Sequence, residues 1–283
     1  MRLLITNDLH QMGQKWALLT KAATLHTPDW VFITGDLLPK PMHGQDMYGQ
    51  QVHFFRAMRR YLAEMKRAGV REVFLYFGND DLHVLEPKLD ALEADGLCRN
   101  MNQRVVEVGG YAIAGMSYVR DYPFAYKFWC APDGEFSVCP QQFGPALTMT
   151  DDGYLEPIPD LASYLAAKPS LAARLAELTA QIVPAKLPMS IWMIHQPPDQ
   201  LGMDICGHGA RVGSPAVREF IEQHQPLLTM HGHIHESPLQ PGGQWKAQVG
   251  RTTVLQPGQV GEHLHYVTCE ARDGVVTNLE WHT

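Results

Sequence analysis

At 283 residues with 45% apolar content, the chain can bury a sizeable core, and its length suits one or two domains. A formal charge of -7 without any cluster of Lys and Arg excludes a nucleic-acid binder that relies on a basic surface. No stretch is long and apolar enough to span a bilayer, and the opening "MRLLITNDLH" is too short in its apolar run for a signal-peptide core.

A cytoplasmic chain with no membrane partner is therefore expected. The five cysteines (Cys98, Cys130, Cys139, Cys206, Cys269) are odd in number and lack CxxC spacing, which fits reduced thiols. "RLLIT" running into "NDLH" has the pattern of a buried strand that delivers polar side chains at its carboxyl end. Helical spacing follows from Trp16 to Leu25, and "PDWVFITGDLL" is a second apolar strand closed by a carboxylate. "VHFFRAMRRYLAEMKRAG" is an amphipathic helix with Gly69 just past its end, and "REVFLYFGNDD" is the third strand. Strands alternating with helices predict βαβ connections and a parallel sheet, whose sites form at the carboxyl ends of strands.

"YAIAGMSYV" is a further strand, after which the chain turns aperiodic and rich in Pro and aromatics. Residues of about 120–186 form an insertion or cap, ending in one or two helices through "LASYLAAKPSLAARLAELTAQI"; a surface excursion and a substrate lid are both open readings. "MSIWMIHQPP" is a strand ending at His195. Ser214 caps a helix with Pro215 at its first position. In "PLLTMHGHIHES" the strand, if continued, would project His231, His233 and His235 to one side. The last residues predict a hairpin turning at Asp273-Gly274. With no repeats and no convincing linker, a single embellished domain is expected.

Five strand ends thus carry Asp8 and His10, Asp36, Asn79 with Asp80 and Asp81, His195, and His233 with His235. Any one of them is ordinary, since a lone Asp after a strand is usually a turn residue or helix cap. Together they are oxygen and nitrogen donors that suit hard or borderline divalent metals, and they are too many for one ion. Their order, "DLH", "GD", "GNDD", "IHQPP" and "GHIH" from residue 8 to 235, resembles the calcineurin-like metallophosphoesterase superfamily, whose motifs run D-x-H, G-D, G-N-H-D/E, H and G-H-x-H. "VLQPGQ" (Val254 to Gln259) also resembles the strand and turn that follow the last motif.

The resemblance implies a four-layer α/β/β/α sandwich with two facing mixed β-sheets. It implies that Asp8, His10, Asp36 and His235 hold one metal, that Asp36, Asn79, His195 and His233 hold another, and that His231 stays outside. The metals expected are Mn, Fe or Zn, sharing a hydroxide that attacks a small phosphoester substrate such as a nucleotide.

This chain departs from the pattern at Asp80, where the superfamily usually carries a histidine near the leaving group. Two divalent cations, two carboxylates and a hydroxide leave one positive charge, which an ionised Asp80 would cancel. The neutral site that results favours phosphodiesters over dianionic monoesters; alternatively, Asp80 is itself the acid. Asn79, Asp80, Asp81 and His208 are the candidate catalytic residues. Asp81 orients a ligand or the neighbouring backbone, or is a plain turn acid. His208 lies in a glycine-rich loop before a helix N-terminus, where a substrate contact competes with a solvated loop position. The other histidines, His43 among them, need no role beyond surface or packing. A phosphomonoesterase or nucleotidase and a non-catalytic metal-binding scaffold are the rival readings.

Overall fold

A computed structural model describes residues 1–10, 13–40, 46–134 and 139–283; His43 falls outside them. In chain order the strands are β1 (Arg2–Thr6), β2 (Trp30–Thr34), β3 (Glu72–Tyr76), β4 (Arg99–Asn100), β5 (Arg104–Val108), β6 (Tyr111–Met116), β7 (Leu147–Met149), β8 (Leu155–Pro157), β9 (Ile191–Ile194), β10 (Leu228–Met230), β11 (Lys246–Val249), β12 (Thr252–Leu255), β13 (Tyr266–Arg272) and β14 (Val275–His282). The helices are α1 (Gln14–His26), α2 (Met47–Arg67), α3 (Glu86–Ala94), α4 (Leu161–Ala166), α5 (Leu171–Ala180) and α6 (Pro215–His224).

The strands form two six-stranded sheets, ordered β14-β13-β1-β2-β3-β4 and β11-β12-β10-β9-β6-β5. The run β1 to β4 is parallel, as is β12-β10-β9-β6, and the remaining pairings in both sheets are antiparallel. Each sheet is therefore mixed.

Side-chain alternation sorts these strands into layers. Leu3, Ile5, Phe32 and Phe74 point between the sheets and meet Ile191, Met193, Leu228 and Met230, with Phe32 and Phe74 stacked 4.9 Å apart. Their neighbours Leu4, Val31, Ile33, Val73 and Leu75 face outward against residues of α1, α2 and α3. Across the molecule, Ala114, Trp192, Ile194 and Val254 face Leu171 and Leu175 of α5 and Val217 and Phe220 of α6. Both central sheets are covered on both faces, which is why their strands read as continuous apolar runs. The architecture is the expected α/β/β/α sandwich.

Three details differ from the sequence reading or sharpen it. The helical end of the 120–186 segment resolves into α4 and α5, and α5 is a crossover between the parallel strands β6 and β9, part of the outer layer and no mere embellishment. β10 stops at Met230, so the histidine run that follows is turn and not strand. The short or partly exposed strands β4, β5, β7, β8 and β11 escaped notice because they bury too little for a clear apolar pattern. The terminal hairpin turns at Asp273 and Gly274, both at positive φ as a tight two-residue turn requires. All five cysteines are unpaired. No described helix is long and apolar enough to cross a membrane.

Candidate metal centre

The loops that leave β1, β2, β3, β9 and β10 at their carboxyl ends converge on one buried cluster. Backbone hydrogen bonds knit them: Asp8 N–H donates to Gly35 O, His10 N–H to Asp36 O, and Gly232 N–H to His195 O. Asp8, His10, Asp36 and His233 all adopt positive φ, a conformation that costs non-glycine residues about 1–3 kcal/mol each and gathers at functional sites. Glycine is needed at Gly35 and Gly78, where a Cβ would overlap the His195 ring and the Asp36 carboxylate respectively.

Ligand atoms of Asp8, His10, Asp36 and His235 lie within 4.8 Å of one another. His10 Nε2 is 3.1 Å from His235 Nε2 and 3.2 Å from Asp36 Oδ2, while His235 Nε2 is 3.6 Å from Asp8 Oδ1. On the other side of Asp36, Asn79 Oδ1 lies 3.0 Å from His195 Nε2 and 2.6 Å from His233 Nδ1, and His195 Nε2 is 3.5 Å from Asp36 Oδ2. Asp36 Oδ2 is thus common to both groups.

The donor chemistry fits cations. Asp36 Oδ2 is buried and makes no hydrogen bond, which is costly for a carboxylate oxygen unless a positive charge faces it. His195 Nδ1 lies 2.8 Å from Thr34 O, and a carbonyl can only accept, so Nδ1 carries a proton and Nε2 is the ring atom that faces Asn79 Oδ1 and Asp36 Oδ2. Facing acceptors of this kind need either a proton or a metal between them.

The charges tell the same story. Burial opposes charge on His10 and His195, yet the carboxylates, Asp36 above all, outweigh it and raise both rings to about 9. Burial likewise resists ionisation of Asp36, but His10 and His195 hold its carboxyl well below the usual range. Burial pushes Asp8 up to about 7, His233 down to about 3, and His235 well below the ordinary imidazole value.

His231 stands apart from the cluster. Its Nδ1 meets Ile194 O and Gln196 O, its Nε2 meets Thr229 Oγ1, and burial depresses it to about 4, so it is a neutral packing group. Asp81 is also spoken for: its carboxylate accepts from Leu37, Leu38 and Gly78 N–H, so it organises the backbone beside the cluster. His208 is exposed on the turn at 206–209, and among the described residues it makes no hydrogen bond or ion pair to the cluster. Asp80 stays at the rim, with Oδ2 4.0 Å from His10 Nε2.

Sequence reading missed Lys40, whose Nζ is 2.6 Å from Asp80 Oδ2. It also missed the buried Gln51, which bridges the loops carrying those two residues, and Tyr122, whose ring lies 5.7 Å from that of His233. In the sequence none has a telling spacing; Lys40 follows Pro39 like any loop lysine.

The family model described as calcineurin-like phosphoesterase matches residues 1–237. Comparison with curated proteins gave no match. One solved structure is 15% identical, with a TM-score of 0.62, over 100% of this chain and 98% of its own. The protein TT1561 of Thermus thermophilus is 17% identical, with a TM-score of 0.57, over 100% of this chain and 98% of its own. At these identities the likeness is one of fold.

Proposed function

The chain belongs to the calcineurin-like phosphoesterases, and from that premise we propose that it hydrolyses phosphoesters at a centre of two divalent cations. The observation that carries the reading is Asp36 Oδ2, buried without a hydrogen bond and within 3.2 Å of His10 and 3.5 Å of His195. Asp8, His10, Asp36 and His235 would hold one cation; Asp36, Asn79, His195 and His233 would hold the other. Bound there, such ions supply Lewis acidity to phosphoryl oxygens and lower the pKa of a water. The mixed imidazole and carboxylate donors suit Mn, Fe or Zn.

The chain's own residues fix the geometry. Thr34 O orients the His195 ring, and the His233 N–H donates to both oxygens of Asp8, so each donor arrives aimed. The substrate is a small phosphoester, with nucleotides among the candidates. Sequence alone favoured diesters because an unpaired Asp80 would cancel the positive charge. Lys40 offsets Asp80 at 2.6 Å, which removes the charge argument against dianionic monoesters, so both ester classes belong to the proposal.

The test is metal stoichiometry together with turnover. Chelator-treated protein reloaded with Mn²⁺, Zn²⁺ or Fe²⁺ is expected to take up about two ions per chain and to hydrolyse nitrophenyl phosphate, bis-nitrophenyl phosphate or both. Two bound ions with no turnover on either ester would favour the non-catalytic scaffold.

A further inference from the structure

We propose that Lys40, held at the rim of the centre by Asp80, is the residue that meets the substrate's phosphoryl oxygens and admits dianionic monoesters. This rests on the phosphoesterase reading above. The Lys40 ammonium is 2.6 Å from Asp80 Oδ2, and that oxygen is in turn 4.0 Å from His10 Nε2. The two side chains differ in exposure: Lys40 is 55% exposed and Asp80 10%. The carboxylate is enclosed by protein, whereas the lysine side chain is more than half exposed.

The backbone holds both residues independently of their ion pair. Lys40 N–H donates to His10 O at 3.2 Å, and Asp80 N–H donates to Asp36 Oδ1 at 2.9 Å. The fully buried Gln51 donates from Nε2 to Pro39 O and to Asp80 O, and accepts Leu82 N–H at Oε1. One side chain therefore locks the residue before Lys40 to Asp80 itself. A surface ion pair contributes little to stability, so a frame this firm is poorly explained as a stabilising device. As a device for aiming a cation it makes sense.

An ammonium has three N–H donors, and Asp80 Oδ2 takes one. The charge of Lys40 is felt by Asp36, Asp8, His233 and His235, the same groups that surround the cluster. A phosphoryl group entering over those donors would meet the two N–H groups of Lys40 that have no acceptor among the described residues. An ionised Asp80 would repel that group, so Asp80 is a positioning residue and Lys40 the contact. A dianion gains more than a monoanion from one additional positive charge.

Native protein, Lys40→Gln and Lys40→Arg, each loaded with Mn²⁺, would be compared in three measurements: metal content, calorimetric binding of inorganic phosphate, and kcat/KM on nitrophenyl phosphate and bis-nitrophenyl phosphate. Lys40→Gln is expected to keep its metal, to bind phosphate about 10-fold more weakly, and to lower the monoester-to-diester ratio of kcat/KM by about 10- to 100-fold. Lys40→Arg should recover most of both losses. Unchanged phosphate binding in Lys40→Gln overturns the proposal, as does loss of metal in that variant or an arginine no better than glutamine. If the native protein binds metal and phosphate but cleaves neither ester, the phosphoesterase reading fails, and the phosphate titration still decides the role of Lys40.

Discussion

The Nε2 atoms of His10 and His235 face each other 3.1 Å apart, one from the loop after β1 and the other from the loop after β10. Two imidazole lone pairs at that separation repel unless a proton or a cation lies between them. Asp8 and Asp36 close the same group, so a metal is the natural occupant. His235→Ala should lower bound metal by about one ion per chain, and His195→Ala should do so from the other group. Elemental analysis of dialysed protein checks this; an unchanged metal content in both variants would remove the two-group reading.

Proton and metal compete for the same nitrogens, which gives a signed pH dependence. In metal-free protein the His10 and His195 rings titrate at about 9, above the ordinary 6.5 of an unfolded chain. Their contribution to stability is full below pH 6.5 and disappears as pH rises through 9. Asp8, raised to about 7, acts in the same direction at lower pH. The neutral His233, lowered to about 3, adds nothing to this window. The Tm of chelated protein is therefore expected to fall between pH 6.5 and 9, while metal affinity rises over the same interval. Thermal scans with and without metal measure both trends, and a metal-free Tm that rises with pH contradicts the first.

Asp81 offers a stability test that separates frame from chemistry. Its carboxylate satisfies the N–H groups of Leu37, Leu38 and Gly78, all beside the cluster. Asp81→Ala leaves three buried donors unpaired and is expected to cost about 3–5 kcal/mol. Urea titration should record that loss, together with weaker metal retention. A variant as stable as the native chain would show that the carboxylate does not hold these loops.

Gly35→Ala probes how closely the second group is packed. Gly35 has φ 90°, and a Cβ there would press on His195 Nδ1, the atom that meets Thr34 O. The substitution should displace the His195 ring and lower metal binding at that group, with far-ultraviolet circular dichroism showing the sandwich retained. Native metal stoichiometry in Gly35→Ala would mean that the ring has room to spare.

Residue chemistry made much of this legible in the sequence. Apolar runs ending in Asp, Asn and His announce strands buried on both faces that deliver donors at their tips, because few other arrangements place such residues after such runs. How His233 and His235 are brought in was not legible. Pleat alternation was a reasonable expectation, but β10 ends at Met230 and His233 turns at φ 69°. The Asp8 and His10 pair likewise lies in a loop beyond β1 and not on the strand. Lys40 was invisible for another reason: its partner Asp80 is forty residues away, and ion pairs across loops leave no period to read. The role of α5 was hidden because its segment began as an aperiodic excursion, although a parallel pairing of β6 with β9 demands a crossover between them.

Asp8, His10, Asp36 and Asn79 follow strands of one sheet, whereas His195, His233 and His235 follow strands of the other. A cation seated among them would rivet two slabs whose shared interior is mostly greasy contact, with a few hydrogen bonds such as Thr34 to His195 at its edge. Loosening the interior far from the ions, for instance at the Phe32–Phe74 stack, should then be felt as poorer metal grip, and metal loading should in turn resist any prying apart of the slabs.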